Sequence, residues 1–108
     1  MQVTRNERDY WRSLVGFLKV APQVFQHTDG YAVQVGSRTT MEYIEGSRKA
    51  IIDVEFGRGT TCIYVRRIVG WISGSQRLAM TDDEKRIAVD RISAALQFDD
   101  SSVEISAD

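Results

Sequence analysis

KAIIDVEFGRGTTCIYVRRIVGW, residues 49–71, carries the pattern that decides the fold. Ile52, Val54 and Phe56 recur at every second position with Asp53 and Glu55 between them, the period of a strand with one buried and one wet face. Gly57-Arg58-Gly59 then supplies residues that tolerate positive φ, and Thr61 to Ile68 resumes in β-branched and aromatic residues. The spacing predicts a β-hairpin with a short loop, closed by Trp71. In its second strand the alternation leaves two sets open for the core face, Thr61, Ile63 and Val65 or Cys62, Tyr64 and Arg66. With Ile63 and Val65 inward, Asp53, Glu55, Tyr64 and Arg66 share an open face. Opposite charges there pair across strands for roughly 0.2–1 kcal/mol each.

Upstream of the hairpin, Val24 to Thr28 and Tyr31 to Val35 flank Asp29-Gly30, a pair suited to a two-residue type I′ turn. Gly36-Ser37-Arg38 turns the chain into a third strand, Thr39 to Glu45, with Met41 and Tyr43 on one face and Glu42 and Ile44 on the other; Gly46-Ser47 leads on to the central hairpin. Nearer the start, Thr4 and Glu7 have capping-box spacing, and Tyr10, Trp11, Leu14, Val15, Phe17 and Leu18 form an apolar stripe. They predict a helix over Arg5 to Lys19, ended by Pro22. Downstream, residues 72–80 read as a loop, and Thr81 and Glu84 repeat the capping-box spacing before a stripe of Ala88, Val89, Ile92, Ala95 and Leu96. Asp99-Asp100-Ser101 ends that helix, and Val103 and Ile105 suggest a last strand. The expected architecture is α+β in a single domain over residues 1–108: an N-terminal helix, an antiparallel β-meander of four to five strands, a second helix packed on the sheet and a short C-terminal strand.

The 108 residues carry a net charge of −1, which argues against a general nucleic-acid binder. Residues 80–108 hold eight acidic against three basic side chains, an asymmetry that either solvates a helix face or steers a basic partner. Cys62 is alone, so no intrachain disulfide forms. The polar start lacks the apolar core of a secretory signal, and no apolar run approaches the roughly 18 residues of a membrane span, so the expectation is a cytoplasmic protein without a membrane partner.

No catalytic constellation is visible. One histidine, His27, and one cysteine, Cys62, are not placed together by the sequence, and structural zinc needs about four Cys or His ligands. No metal or cofactor is therefore expected. Gly57-Arg58-Gly59 lies between two strands rather than between a strand and a helix, which argues against a phosphate loop. Asp53 and Glu55 project to one face, as an acid–base pair would, but such pairs are common on open sheets. Trp71 reads either as a core plug beneath the second helix or as a partly exposed interface anchor. The expected partner-binding set is Asp53, Glu55, Tyr64, Arg66 and Trp71.

Tyr43-Ile44-Glu45-Gly46 before a strand, Tyr64 and Ile68 leading to Trp71, Thr81 to Leu96 with Glu84-Lys85 and Ile87, and a closing Val103-Glu104-Ile105 together resemble the immunity protein family numbered seventy-four of bacterial polymorphic toxin systems. The likeness spans residues 31–106. It implies a small α+β protein that binds a cognate toxin and blocks it by occlusion, without catalysis of its own; the acidic C-terminal region would suit a basic toxin such as a nuclease. The alternative is a self-associating accessory protein whose sheet face pairs in a homodimer.

Overall fold

A computed structural model describes residues 16–107. Nine strands among them join in one sheet, with a single helix packed against it. In chain order they are β1 (Phe17–Ala21), β2 (Val24–His27), β3 (Tyr31–Ser37), β4 (Thr40–Glu45), β5 (Arg48–Phe56), β6 (Thr60–Tyr64), β7 (Trp71–Ser73), β8 (Gln76–Leu78), α1 (Asp82–Phe98) and β9 (Ser102–Ser106). The main path runs β1-β2-β3-β4-β5-β6-β9. All neighbours along it are antiparallel except β6 and β9, which lie parallel.

The expected architecture is corrected in three places. The helix over Arg5 to Lys19 does not reach its end, because Phe17–Ala21 is strand β1, paired with β2 across Pro22-Gln23; residues 5–15 lie outside the described residues. Pro22 fixes its own φ near −65°, and Gln23 takes φ +66°, so this dipeptide works as a hairpin turn where the sequence reading used it as a helix stop. The segment read as a loop after Trp71 holds the β7–β8 hairpin, turned at Gly74 with φ +59°. The sheet therefore has nine strands among the described residues rather than a meander of four to five and one closing strand, and that closing strand pairs in parallel with β6.

Strand β5 is the hub. Along one edge it pairs with β4 from Arg48 to Asp53. Its other edge is divided: Arg48 to Ala50 pair with β7, and Val54 to Phe56 pair with β6. Between the two lies a fork, crossed by a 3₁₀ turn at Val65–Arg67 and the segment up to Gly70. The second hairpin strand thus ends at Tyr64 rather than Ile68, and Val65 packs against the core from the turn. The first hairpin also differs in its loop. His27 pairs with Tyr31 across Thr28-Asp29-Gly30, and only Gly30 takes positive φ there, +92°, which is a three-residue connection rather than a type I′ turn.

One face of the sheet carries Phe25, Val33, Met41, Tyr43, Ile52, Val54, Ile63 and Trp71, all buried. Helix α1 covers it with Ala88, Val89, Ile92, Ala95 and Leu96. The helix starts as its sequence requires: the Glu84 N–H donates to Thr81 Oγ1 at 3.1 Å, and the Thr81 N–H donates to Glu84 Oε1 at 2.9 Å. It ends where Asp100, with φ +62°, reverses the chain into β9. Ile92 is fully buried at the helix–sheet seam. Ile92→Ala is expected to lose about 2–5 kcal/mol of unfolding free energy in a urea titration, whereas Val69→Ala, 84% exposed, should change it by less than about 0.5 kcal/mol.

Candidate functional site

Alternation along β3, β4 and β5 puts Ala32, Gln34, Glu42, Ile44, Lys49 and Asp53 on the face away from the helix, and no described element covers that face. Its centre is held by short polar contacts. Gln34 Nε2 donates to Glu42 Oε1 at 2.6 Å, and Lys49 Nζ reaches Glu42 Oε2 at 3.4 Å. These groups answer one another and leave little for a partner to satisfy.

Toward the fork the face becomes less self-contained. The Tyr64 hydroxyl donates to Glu55 Oε2 at 2.9 Å, and this bond is the main reason that the hydroxyl holds its proton above the ordinary value of 10. The Arg67 guanidinium lies 4.1 Å from the centre of the Tyr64 ring, with Nη1 4.0 Å from Asp53 Oδ2. Asp53, Glu55 and Tyr64 therefore come together as expected, but Arg67 completes the group in place of Arg66. The cause is local: β6 ends at Tyr64, and the 3₁₀ turn breaks the period of two that placed Arg66 on this face. Arg66 is exposed and makes no ion pair or hydrogen bond among the described residues.

Trp71 is 2% exposed, the core plug of the two readings and not an exposed anchor. Arg48 covers its ring at 4.0 Å, while the indole N–H makes no well-directed hydrogen bond. Its proximity nonetheless helps hold the Glu84 carboxyl below its ordinary value, after the hydrogen bond from the Thr81 backbone.

Two hollows meet at Asp53 and Arg67. One, of about 430 Å³, runs past Arg38, Glu55 and Tyr64. The other, of about 410 Å³, lies over the fork, with Ile51, Val69, Ile72 and Leu78 as its apolar lining and Arg67 and Arg77 among its polar groups. Gly70 makes the second hollow possible in this form. A Cβ there would stand 2.5 Å from the Leu78 carbonyl oxygen, so only glycine lets the segment after the 3₁₀ turn lie against β8.

A second polar cluster, which the sequence reading missed, sits where α1 meets the sheet. The Tyr43 hydroxyl donates to Glu45 Oε2 at 2.7 Å and accepts from Arg91 Nη1 at 2.7 Å. Arg48 Nη2 joins Glu45 at 3.0 Å and Glu84 at 3.2 Å. Arg91 also lies 4.4 Å over the Tyr31 ring and 3.6 Å from Glu45. Two arginines and two glutamates balance, and every carboxylate has a cation, so the cluster fastens the helix and offers no unsatisfied group to a substrate. Burial, then the bond to Glu45, pushes the Tyr43 hydroxyl up to about 12, whereas the bond from Tyr43 is the chief cause that lowers Glu45. The available signals were the Glu45–Arg48 spacing across the Gly46-Ser47 turn and the capping Glu84, which uses one carboxylate oxygen for the cap and the other for Arg48.

His27 stands on the helix-side face, its side chain buried, with Nδ1 accepting from the Asp29 N–H at 2.9 Å and its ring stacked on Tyr31 at 4.7 Å. It is on the opposite face from Asp53 and Glu55, so no acid–base pocket joins them. Among the described residues no group of three or more His, Cys, Asp or Glu could hold a metal ion, and no helix is long and apolar enough to cross a membrane.

Two outcomes follow from this geometry. Glu45 and Glu84 are lowered, so their contribution to stability is full above their ordinary value of 4.5 and is lost as pH falls through the lower folded values; Tyr43 is raised, so its contribution is full below 10 and is lost as pH rises through about 12. The urea midpoint should stay level between about pH 6 and 9, fall on both sides, and lose part of the acid-side fall in Glu45→Gln. Gly70→Ala should destabilise the fold by about 1–3 kcal/mol and shift the β8 amide resonances, since either Leu78 or the 68–70 segment must move.

No protein-family model matches the chain, and neither the curated proteins nor the solved structures searched yield a match. The likeness to the toxin-immunity family therefore rests on the quoted residues alone.

Proposed function

We propose that this chain is a non-catalytic protein-binding domain that acts as an immunity-type inhibitor, occluding its partner with the open sheet face at the fork. One observation carries the reading: the helix uses one face of the sheet for the core, while the other presents two adjoining hollows beside an apolar lining. Occlusion needs a shaped surface with apolar groups that a partner can cover and polar groups around them, and the hollow over the fork, with Ile51, Val69 and Ile72 beside Asp53, Arg67 and Arg77, supports that reading.

The distribution of charge refines the reading. The acidic residues of the C-terminal part, Asp82, Asp83, Asp90, Asp99 and Asp100 among them, belong to α1 and its end, on the far side of the sheet from the fork. Arg38, Arg67 and Arg77 stand at the hollows instead. A basic partner would be steered to the helix side, and the surface that meets the fork would be apolar or acidic.

Isolation of the tagged protein from its host, followed by co-expression of the recovered partner, tests the proposal. The partner alone should arrest growth and the wild-type chain should restore it. Ile51→Glu with Tyr64→Ala should abolish rescue while thermal unfolding stays cooperative, and Asp83→Lys with Asp90→Lys on the helix should leave rescue intact. A partner harmless on its own, or recovery of the chain only as a homodimer, overturns the immunity reading. Loss of rescue in the helix variant alone overturns the assignment to the open face.

A further inference from the structure

We infer that the hollow over the fork is a peptide-anchor site, which takes one apolar side chain of a partner segment flanked by carboxylates. The inference rests on the open face being the contact surface and names the chemistry that this face selects.

Branched apolar residues from three parts of the chain line the hollow: Ile51 from the stretch of β5 that pairs only with β4, Ile72 from β7, and Val69 from the crossing segment, with β8 contributing Arg77 and, at its rim, Leu78. Val69 is 84% exposed and Leu78 is 44% exposed, so the lining meets water. Its volume of about 410 Å³ lies within the range of about 300–1,000 Å³ in which concave sites bury a ligand group, and it exceeds what a single leucine or methionine side chain fills. The apolar lining supplies the driving force, since an aliphatic side chain seated there is removed from water.

Charge decides what flanks that side chain. The titratable groups lining the hollow are Asp53, Arg67 and Arg77. Asp53 and Arg67 lie 4.0 Å apart and largely answer each other, with Arg67 also held over Tyr64. Arg77, on edge strand β8, makes no ion pair or hydrogen bond among the described residues. Its guanidinium is a fork of donors beside an apolar hollow, the arrangement that accepts a carboxylate in two parallel hydrogen bonds. A lysine-flanked segment would set like charges together there. A segment with aspartate or glutamate next to leucine, isoleucine or methionine satisfies both the lining and the arginine.

The probe is an acetylated and amidated octapeptide with one central leucine between glutamates and aspartates, titrated into the ¹⁵N-labelled full chain; the same peptide with every acid replaced by lysine is the second arm. The acidic peptide should shift the amides of Ile51, Val69, Gly70, Ile72, Arg77 and Leu78 and leave the helix unperturbed. Arg77→Glu should weaken it at least about tenfold, and raising salt from about 0.05 to 0.5 M should weaken it several-fold. Val69→Asp, at a position too exposed to affect folding, should weaken it also. Absence of these shifts at millimolar peptide, equal binding of the lysine peptide, or indifference to Arg77→Glu overturns the inference. The two readings fail separately. If the Ile51→Glu/Tyr64→Ala variant loses a partner that Arg77→Glu retains, the open face stands and the acidic anchor falls. If no partner is recovered at all, the occlusion reading falls whatever the peptide does.

Discussion

The divided edge of β5 is the constraint on which the rest of the sheet depends. A strand has two edges, and β5 spends one on β4 and splits the other between β7 and β6. The split forces the chain to cross from β6 to β7 without ladder pairing, which it does through the 3₁₀ turn at Val65–Arg67, and it requires a glycine at position 70 so that the crossing can lie against β8. The hollow over the fork, the exchange of Arg66 for Arg67 beside Tyr64, and the exposure of Val69 all trace back to that one division. A continuous β5–β6 ladder would have given a flat sheet edge with no concavity.

The two polar clusters show how the same residue types serve different ends. Around Tyr43, four charges cancel in pairs across the helix–sheet seam, each close to an aromatic face or a hydroxyl, and the result is a joint. Around Asp53 and Tyr64 the contacts are longer and more exposed, and arginines outnumber carboxylates once Arg38 and Arg77 are counted. Exposed pairs of this sort contribute little to stability, so folding places few demands on the charges at the fork. Acidic groups gather on the helix and arginines at the fork, which gives the domain two sides of different electrostatic character.

Much of the centre was legible because a half-buried strand writes itself as alternation. Met41 with Tyr43, Ile52 with Val54, and Ile63 all face the core as their spacing required, and α1 begins at its capping box. Asp53, Glu55 and Tyr64 share the open face for the same reason. What failed did so where tertiary pairing overrides a short local signal. Phe17 and Leu18 fit a helical stripe by composition, yet two apolar residues before a proline are equally compatible with a strand, and pairing with β2 decides the matter. Strands β7 and β8 have three residues each and too few positions to show a period. Phe56, in register for the core, is 39% exposed because β5 outruns the helix that covers its neighbours. The Tyr43 cluster joins residues nearly fifty positions apart, a distance over which periodicity carries no information.

The parallel pairing of β6 with β9 also sets an order of events during synthesis. Strands β2 to β5 meet neighbours that are adjacent in the chain, so their hairpins close as soon as they emerge from the ribosome. The outer edge of β6 has to wait: Thr61 is matched by Val103, and Gly59 accepts from the Ser102 N–H at 2.7 Å, some forty residues later. Until residues 102–106 have been made, a strand rich in threonine, isoleucine and tyrosine presents an unpaired edge, and the core beneath it lacks its helix. A nascent chain paused in that interval is the form most exposed to pairing with the wrong strand, and the arrival of β9 removes the hazard.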